Sequence, residues 1–161
     1  MSTVYLLLGS NLGDRALQMQ AAALLIKTQI GTVKRTSALY ETAPWGGIEQ
    51  PAFLNQVLEV ETALAPEEVL RLALDIEHEL GRVRYERWGA RHLDIDLLYF
   101  DALHMDTARL TVPHPRLHER RFTLVPLVEI APDFVHPIFH KTNAELLAQC
   151  PDQEEVWAYQ G

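Results

Sequence analysis

The sequence has few of the features that link a chain covalently, anchor it in a membrane or direct it out of the cell. Cys150 is the one cysteine, so no disulfide can form within the chain, and this cysteine usage is typical of a reducing compartment. The longest unbroken apolar run, Ala21 to Ile26, is far shorter than the roughly 20 residues that cross a bilayer. The N-terminus lacks the basic start and the cleavage site of a secretory signal. We therefore expect a cytoplasmic protein with no membrane partner.

Positive charge is also scarce. The chain has 14 lysines and arginines against 22 acidic residues, which gives a net charge of −8. Such a protein is a poor candidate for general nucleic-acid binding, because the phosphate backbone requires a basic surface. Eight of the 14 basic residues are nevertheless arginines between Arg82 and Arg121. This clustering fits a small polyanionic ligand, and it fits equally well a set of surface arginines paired with neighbouring acids.

Repeats, low-complexity tracts and linkers are absent, so the 161 residues are expected to form a single domain, 1–161. Periodicity and turn residues predict strands at Thr3–Gly9, Thr32–Tyr40, Phe53–Thr62 and His92–Phe100, helices at Asp14–Lys27 and Pro66–Leu80, and loops at Glu41–Pro51 and Arg82–Arg91. The order strand, helix, strand, strand, helix, strand is the ferredoxin-like pattern. We expect an α+β fold in which helices pack on one face of an antiparallel sheet. Extra C-terminal segments would add a short strand near Leu110–Val112 and a helix near Asn143–Gln149.

Two aspartates in the last predicted strand are the strongest chemical signal. Because side chains alternate along a strand, Asp94 and Asp96 should point the same way, together with His92 and Leu98. The opposite, core-facing side would carry Leu93, Ile95, Leu97 and Tyr99. Carboxylates about 6.5–7 Å apart along a strand can converge on two Mg²⁺ ions. The alternative is a solvent-facing strand with two ordinary acids.

Arginines near this pair favour phosphate chemistry. Arg82, Arg84, Arg87 and Arg91 lie just upstream on a predicted loop. A second basic group contains Arg109, His114 and Arg120. Metal-binding acids beside arginines are what phosphoryl transfer needs, since the metal and the guanidinium groups together stabilise the phosphate charge.

Other familiar catalytic patterns are missing. The opening GSNLGD is rich in glycine but lacks the lysine and spacing of a Walker A loop, and a turn with a helix cap explains it.

Trp45, Phe53 and Phe122 are individually best explained as core packing. Asn55 is harder to dismiss, because a buried amide offers a donor and an acceptor to a flat heterocycle.

Six separated segments resemble one known family. They are LLLGSNLGDR, YETAPWG followed by FLN, IEHELGRVR, RWGARHLDIDLL, LTVPHPRL and PLVEIAPD, and they extend from about Tyr5 to Asp133. All are similar to segments of the 6-hydroxymethyl-7,8-dihydropterin pyrophosphokinase family and occur in the same order. The resemblance implies a ferredoxin-like monomer that transfers the pyrophosphoryl group of ATP to the pterin hydroxymethyl oxygen, releasing AMP, in folate biosynthesis.

The resemblance also implies roles for individual residues. Asp94 and Asp96 would bind two Mg²⁺ ions, and Arg82 and Arg91 would be catalytic residues on or beside a mobile loop. The residues implied in ATP binding are Leu70, Arg82, Arg84, Trp88, Arg91, Leu98, Arg109, Thr111, His114 and Arg120, with Leu70 and Leu98 lining the adenine pocket. The residues implied in pterin binding are Thr42, Ala43, Trp45, Phe53, Asn55 and Phe122, with the two phenylalanines on either side of the ring.

Three alternatives to this activity remain at the level of the sequence. A metal-dependent phosphohydrolase would use the same acids and release phosphate without an acceptor. A ligand-binding module of ferredoxin-like fold would bind nucleotide or pterin without turnover. An RNA-binding ferredoxin-like domain is opposed by the net charge and by the lack of an aromatic RNP-type motif.

Overall fold

A computed structural model describes residues 1–11, 13–42, 52–82 and 93–160, with Arg82 described by its backbone alone. Its strands are β1 (Ser2–Ser10), β2 (Thr32–Thr36), β3 (Tyr40–Thr42), β4 (Phe53–Thr62), β5 (Asp94–Phe100), β6 (Met105–Asp106), β7 (Thr111–Val112) and β8 (Val156–Ala158). Its helices are α1 (Arg15–Gln29), α2 (Pro66–Arg82), α3 (Arg121–Ile130) and α4 (Asn143–Ala148). No helix within the described ranges has the length and apolar character needed to span a membrane.

The main sheet has the strand order β5-β1-β4-β3-β8, and β2 also pairs with β4. Every pairing in it is antiparallel. β1 is central, because it pairs with β4 from Ser2↔Thr62 to Ser10↔Leu54 and with β5 on its other side. β6 and β7 form a separate small hairpin. This antiparallel sheet with its helices confirms the expected α+β, ferredoxin-like architecture.

Alternation along β1 separates two hydrophobic cores. The first core lies under α1 and α2 and contains Val4, Leu6 and Leu8 of β1. The apolar stripe of α2 also packs in this core, which stabilises the helix. Pro66 and the acidic first turn determine where the helix begins. The second core lies on the opposite face and joins Tyr5 and Leu7 to α3 and α4. The C-terminal segments therefore cover part of the face that α1 and α2 leave open.

The predicted strand Thr32–Tyr40 is wrong in one respect, because it divides into β2 and β3 at Ser37. The Ser37 N–H donates to the Val57 carbonyl at 2.9 Å, but the Val57 N–H donates back to the Ser37 hydroxyl, also at 2.9 Å. A side-chain oxygen thus replaces the backbone acceptor and interrupts the ladder. The helix α2 likewise continues through Gly81, where the sequence had predicted its end.

A bulge changes the faces of β5. Tyr5 pairs with Tyr99 and Leu6 pairs with Leu97, so Leu98 is the extra residue. Alternation holds through Leu98 and is shifted by one residue from Tyr99 onward. Tyr99 therefore packs in the second core with Leu98, and its predicted place beside Leu97 is wrong.

Helix α3 was not predicted, because proline is a helix breaker in most sequence patterns and Pro126 lies inside it. Two features of the fold compensate for the lost hydrogen bond. Leu124, Leu127 and Ile130 are buried in the second core, and the first N–H of the helix, that of Arg121, is bonded to the Asp152 carboxylate 31 residues away.

Gly31 allows a close approach between the end of α1 and strand β4. A Cβ added at this position would overlap the backbone carbonyl of Glu61 and would lie 3.1 Å from the Thr62 Cα. Backbone atoms of a central strand cannot move aside easily, so we expect Gly31→Ala to lower the free energy of unfolding by about 3 kcal/mol. Gly81→Ala is the matched control, since an added Cβ there meets none of the described atoms within 4 Å. It should instead stabilise α2 by about 0.5–1 kcal/mol. Urea denaturation measures both changes, and equal stabilities would contradict this packing.

Candidate active site

Three adjacent strands bring the predicted polar residues together on one face of the sheet. Gly9 of β1 pairs with Asn55 of β4 on one side and with Asp94 of β5 on the other. Two residues earlier on β1, and on the same face, Leu7 pairs with Val57 of β4 and with Asp96 of β5. Since neighbouring strands lie about 4.8 Å apart, the backbones of Asn55 and Asp94 are separated by about 10 Å. Gly9 has no side chain and forms the open floor between them.

The two carboxylates point into this space as the alternation predicts. Asp94 and Asp96 are both half-buried and both line the cavity above Gly9. The bulge of β5 comes after Asp96 and leaves their common direction intact. No cluster of three or more metal-ligating side chains occurs among the described residues. Two carboxylates suit Mg²⁺ well, because this ion commonly takes one or two protein carboxylates and completes its shell with water and substrate phosphates.

Asn55 marks the other end of the cavity. It is 5% exposed, and its Nδ2 makes a long hydrogen bond of 3.4 Å to the Leu8 carbonyl. Its Oδ1 is buried and accepts no hydrogen bond from any of the described residues. An unsatisfied buried acceptor is costly. Its position on the cavity wall therefore suits a ligand that offers a hydrogen-bond donor.

The cavity has a volume of about 590 Å³, a size typical of small-molecule sites. Its predicted members are Thr42, Phe53, Asn55, Asp94, Asp96, Arg120 and Phe122. The lining is completed by residues that the sequence does not predict: Leu7, Gly9, Arg116, Glu119, Pro151, Asp152 and Glu154. Gly9 belongs to the glycine-rich GSNLGD segment that begins at the end of β1, a pattern that a turn with a helix cap also explains.

Basic groups lie on one side of the cavity. Arg120 stands 5.6 Å from the ring centre of Phe122, so a cation and an aromatic face are presented together. Burial lowers the pKa of His114, the Asp96 carboxylate opposes this change, and Arg120 and Arg116 add to the lowering. His114 is therefore neutral near pH 7 and acts as a hydrogen-bonding group. Its Nδ1 accepts from the Arg116 N–H at 3.1 Å, which fixes the turn that carries that arginine.

Leu70 and Leu98 do not face one pocket, contrary to the expectation for adenine. Leu70 packs on the first core and Leu98 is 1% exposed in the second core, on the opposite face of the sheet. Alternation along β5 is the reason, because it places Leu98 on the face of Asp96 and Leu97 on the opposite face. Ile95, Leu97 and Phe100 are the residues of β5 that share the first core with Leu70.

Three other residues predicted to contact ATP, His114, Arg109 and Thr111, lie outside the cavity lining. Arg109 is exposed in the turn before β7, and Thr111 of β7 donates to the Asp106 carboxylate at 3.1 Å. Their neighbours Leu110 and Val112 belong to the first core, as Leu97 does. The β6–β7 hairpin thus lies near the β5 edge of the sheet, and its contact with ATP stays a prediction.

Several predicted residues lie outside what the structure describes. They are Ala43, Trp45, Arg84, Trp88 and Arg91, together with the side chain of Arg82.

Comparison with known proteins identifies the family. The family model described as 7,8-dihydro-6-hydroxymethylpterin-pyrophosphokinase (HPPK) matches residues 5–132. A Bacillus subtilis protein named 2-amino-4-hydroxy-6-hydroxymethyldihydropteridine pyrophosphokinase is 49% identical over 127 residues, which are 78% of this chain and 76% of that protein. A protein of the same name from Methylorubrum extorquens is 44% identical over 150 residues, 92% of this chain and 94% of the relative.

Solved structures agree at the level of the fold. A crystal structure of HPPK-DHPS in complex with substrates superposes with a TM-score of 0.76 at 14% identity and covers 92% of this chain. Wild-type HPPK-DHPS of Plasmodium falciparum with SDX-DHP gives a TM-score of 0.72 at 18% identity and the same coverage. The present chain spans 43% of each of these longer chains. On the strength of the family model and the curated relatives, the chain belongs to the 7,8-dihydro-6-hydroxymethylpterin-pyrophosphokinase family.

Proposed function

We propose that the cavity above Gly9 is the active site of this pyrophosphokinase, with ATP at the Asp94–Asp96 end and the pterin at the Asn55 end. As a family member, the protein is an ATP-dependent enzyme that transfers a pyrophosphoryl group to 6-hydroxymethyl-7,8-dihydropterin in folate biosynthesis. The observation that carries the placement is the pairing of Gly9 with both Asn55 and Asp94. We expect a cytoplasmic monomer whose partners are these two small molecules.

Asn55 and two aromatic rings would orient the pterin. The unsatisfied Oδ1 of Asn55 can accept an N–H of the ring, and the half-buried Phe53 and Phe122 offer flat apolar surfaces on the same cavity wall. Thr42 lies beside them and is 6% exposed. The backbones of Ala43 and Trp45 would complete the recognition of the ring edge. A pterin held in this way would direct its hydroxymethyl group over Gly9 towards the carboxylates.

Asp94 and Asp96 would hold two Mg²⁺ ions. When bound, Mg²⁺ offsets the charge of the phosphates and favours the deprotonated form of an attacking alcohol. Arg120 would bind phosphate oxygens, Arg82 and Arg91 would stabilise the transition state, and Arg84 and Trp88 would cover the nucleotide. Leu70, Arg109, Thr111 and His114 would contact ATP near the edge of β5. The hydroxymethyl oxygen would then lose its proton to solvent and bond to the β-phosphorus, while the bond from that phosphorus to the bridging oxygen of AMP breaks and AMP leaves.

Product analysis tests this function directly. Purified protein is incubated with ATP, Mg²⁺ and the pterin, and the nucleotides and pterins are resolved by chromatography. We expect pterin-dependent AMP in equal amount to pyrophosphorylated pterin. ADP would show transfer of a single phosphoryl group, and phosphate release without pterin would show a hydrolase. Binding of both ligands without any product would leave only a binding module.

Asn55→Ala should mainly weaken pterin binding. The substitution removes the buried acceptor and leaves the ligand's N–H without a partner, so KM for the pterin is expected to rise about 10- to 100-fold. The neighbouring Gln56→Ala is a suitable control, because Gln56 points to the other face and donates to the Ser37 carbonyl at 3.0 Å. Steady-state kinetics at saturating ATP measure both variants. An unchanged KM for Asn55→Ala would place the pterin elsewhere.

A further inference from the structure

The segment between α4 and β8 forms one wall of the cavity. Pro151, Asp152 and Glu154 line the same space as Thr42 and Phe122. Nothing in the sequence motifs had assigned a role to this part of the chain. Because the segment lies beside the expected pterin site, the contacts that fix its position bear on pterin binding.

Asp152 provides both of its carboxylate oxygens to backbone donors. Its Oδ2 accepts from the Arg121 N–H at 2.9 Å, and its Oδ1 accepts from the Glu154 N–H at 2.9 Å. Arg121 is the first residue of α3, and the N-cap residue Arg120 makes no side-chain capping hydrogen bond. A carboxylate at a helix N-terminus satisfies a free N–H and interacts favourably with the helix dipole. Asp152 therefore supplies the missing cap from a distant part of the chain.

The other end of the segment is fixed to the sheet. Val156 of β8 pairs with Thr42 of β3. The Trp157 Nε1 donates to the Glu41 carboxylate at 3.1 Å, and that carboxylate also pairs with Arg15 at 2.8 Å. The segment thus connects the end of β3 with the start of α3 across one side of the cavity.

The capped turn carries two of the predicted ligand-binding residues. Arg120 and Phe122 lie on either side of Arg121, and both line the cavity. The cavity also contains the buried, unsatisfied Oδ1 of Asn55, which independently points to a ligand at this end. A shift of the first turn of α3 would move Phe122 relative to Asn55. The pterin would then lose its simultaneous contact with both.

We propose that Asp152 is a positioning residue for pterin binding, which fixes the first turn of α3, and so Phe122, against the cavity through the Arg121 N–H. This inference rests on the proposed function, because it takes the pterin as the ligand of this end. Asp152 itself needs no contact with the substrate.

The test compares Asp152→Ala with Asp152→Asn. Loss of a charge-assisted hydrogen bond at the helix start should weaken pterin binding about tenfold in the alanine variant. The asparagine variant keeps one acceptor oxygen and should recover most of the affinity, with a loss of about threefold. Gln153→Ala is the matched control, since Gln153 is an exposed neighbour in the same segment that does not line the cavity. The measurements are calorimetric pterin binding in the presence of Mg²⁺ and a non-hydrolysable ATP analogue, and the separate values of KM and kcat.

The inference is supported if Kd and KM for the pterin rise while kcat changes less than about threefold. The loss of pterin affinity relative to wild type should be larger in the alanine variant than in the asparagine variant. Wild-type affinity in Asp152→Ala, even with a lower melting temperature, would overturn it and leave Asp152 a purely structural cap. An equal loss in Gln153→Ala would also overturn it. If the alanine variant does not fold, the asparagine variant decides, and wild-type affinity there overturns the inference. Failure of the proposed function is distinct, because the wild-type protein would then form no pterin-dependent AMP.

Discussion

Asp96→Ala is expected to lower kcat for pterin-dependent AMP formation by at least about 10³-fold while the fold survives. The side chain is half-buried on the cavity wall and shares one face of β5 with Asp94. Asp94 and Asp96 would bind the two Mg²⁺ ions together, so removal of one carboxylate should impair metal binding. Metal stabilisation of phosphate charge is worth several kcal/mol. A loss of about 4 kcal/mol in transition-state stabilisation corresponds to the expected factor.

Stopped-assay kinetics and a thermal unfolding curve measure this variant. Asp75→Ala is the control, since Asp75 is an exposed aspartate of α2 paired with Arg71, away from the cavity lining. It should retain wild-type kcat. If Asp96→Ala kept even about a tenth of wild-type kcat, the proposed role of Asp96 would be wrong.

Gly9→Val is expected to reduce kcat/KM for the pterin by at least about 100-fold with little loss of stability. Valine suits a central strand, and an added Cβ would lie 2.8 Å from Asn55 Nδ2 and 3.8 Å from the Leu54 carbonyl oxygen. The close contact is thus with a side chain that can move, which limits the effect on folding. Displacing Asn55 and filling the floor between it and Asp94 should nevertheless remove the pterin position.

Thr3→Val is the matched control for this substitution. Thr3 lies on the same strand and the same face, six residues from Gly9, and pairs with Glu61 at the far end of β4. It introduces the same side chain about 20 Å from the floor and should leave kcat/KM unchanged. Normal pterin turnover by Gly9→Val would contradict the assignment of Gly9 as the floor of the site.

Local periodicity made much of this fold predictable. The limits of β4 and the start of α2 follow from alternation and from Pro66 with its acidic first turn. The common direction of Asp94 and Asp96 follows from the same alternation, because the bulge begins only after Leu97. These features depend on residues close together in the sequence, where spacing alone determines which side chains share a face.

The features that sequence reasoning missed depend on distant partners. The bulge at Leu98 can be located only once the register of β1 against β5 is known. Helix α3 contains Pro126, and its first N–H is bonded to Asp152, 31 residues away. The wall formed by the C-terminal segment arises from pairing between β3 and β8. The residues of that segment carry no pattern that reveals this proximity, and the glycine pattern around Gly9 fits a simple turn equally well.

The central claim is that metal and pterin bind in one cavity, on either side of Gly9. Paramagnetic relaxation tests it most directly: Mn²⁺ replaces Mg²⁺ in a complex with a non-hydrolysable ATP analogue, and relaxation of the pterin hydroxymethyl nuclei is measured. Since Asn55 and Asp94 lie two strands apart, we predict strong relaxation from a metal within about 10 Å of that group, which Asp96→Ala should remove. Bound pterin with no relaxation beyond that of free pterin would contradict the account, because the two ligands would then occupy separate sites.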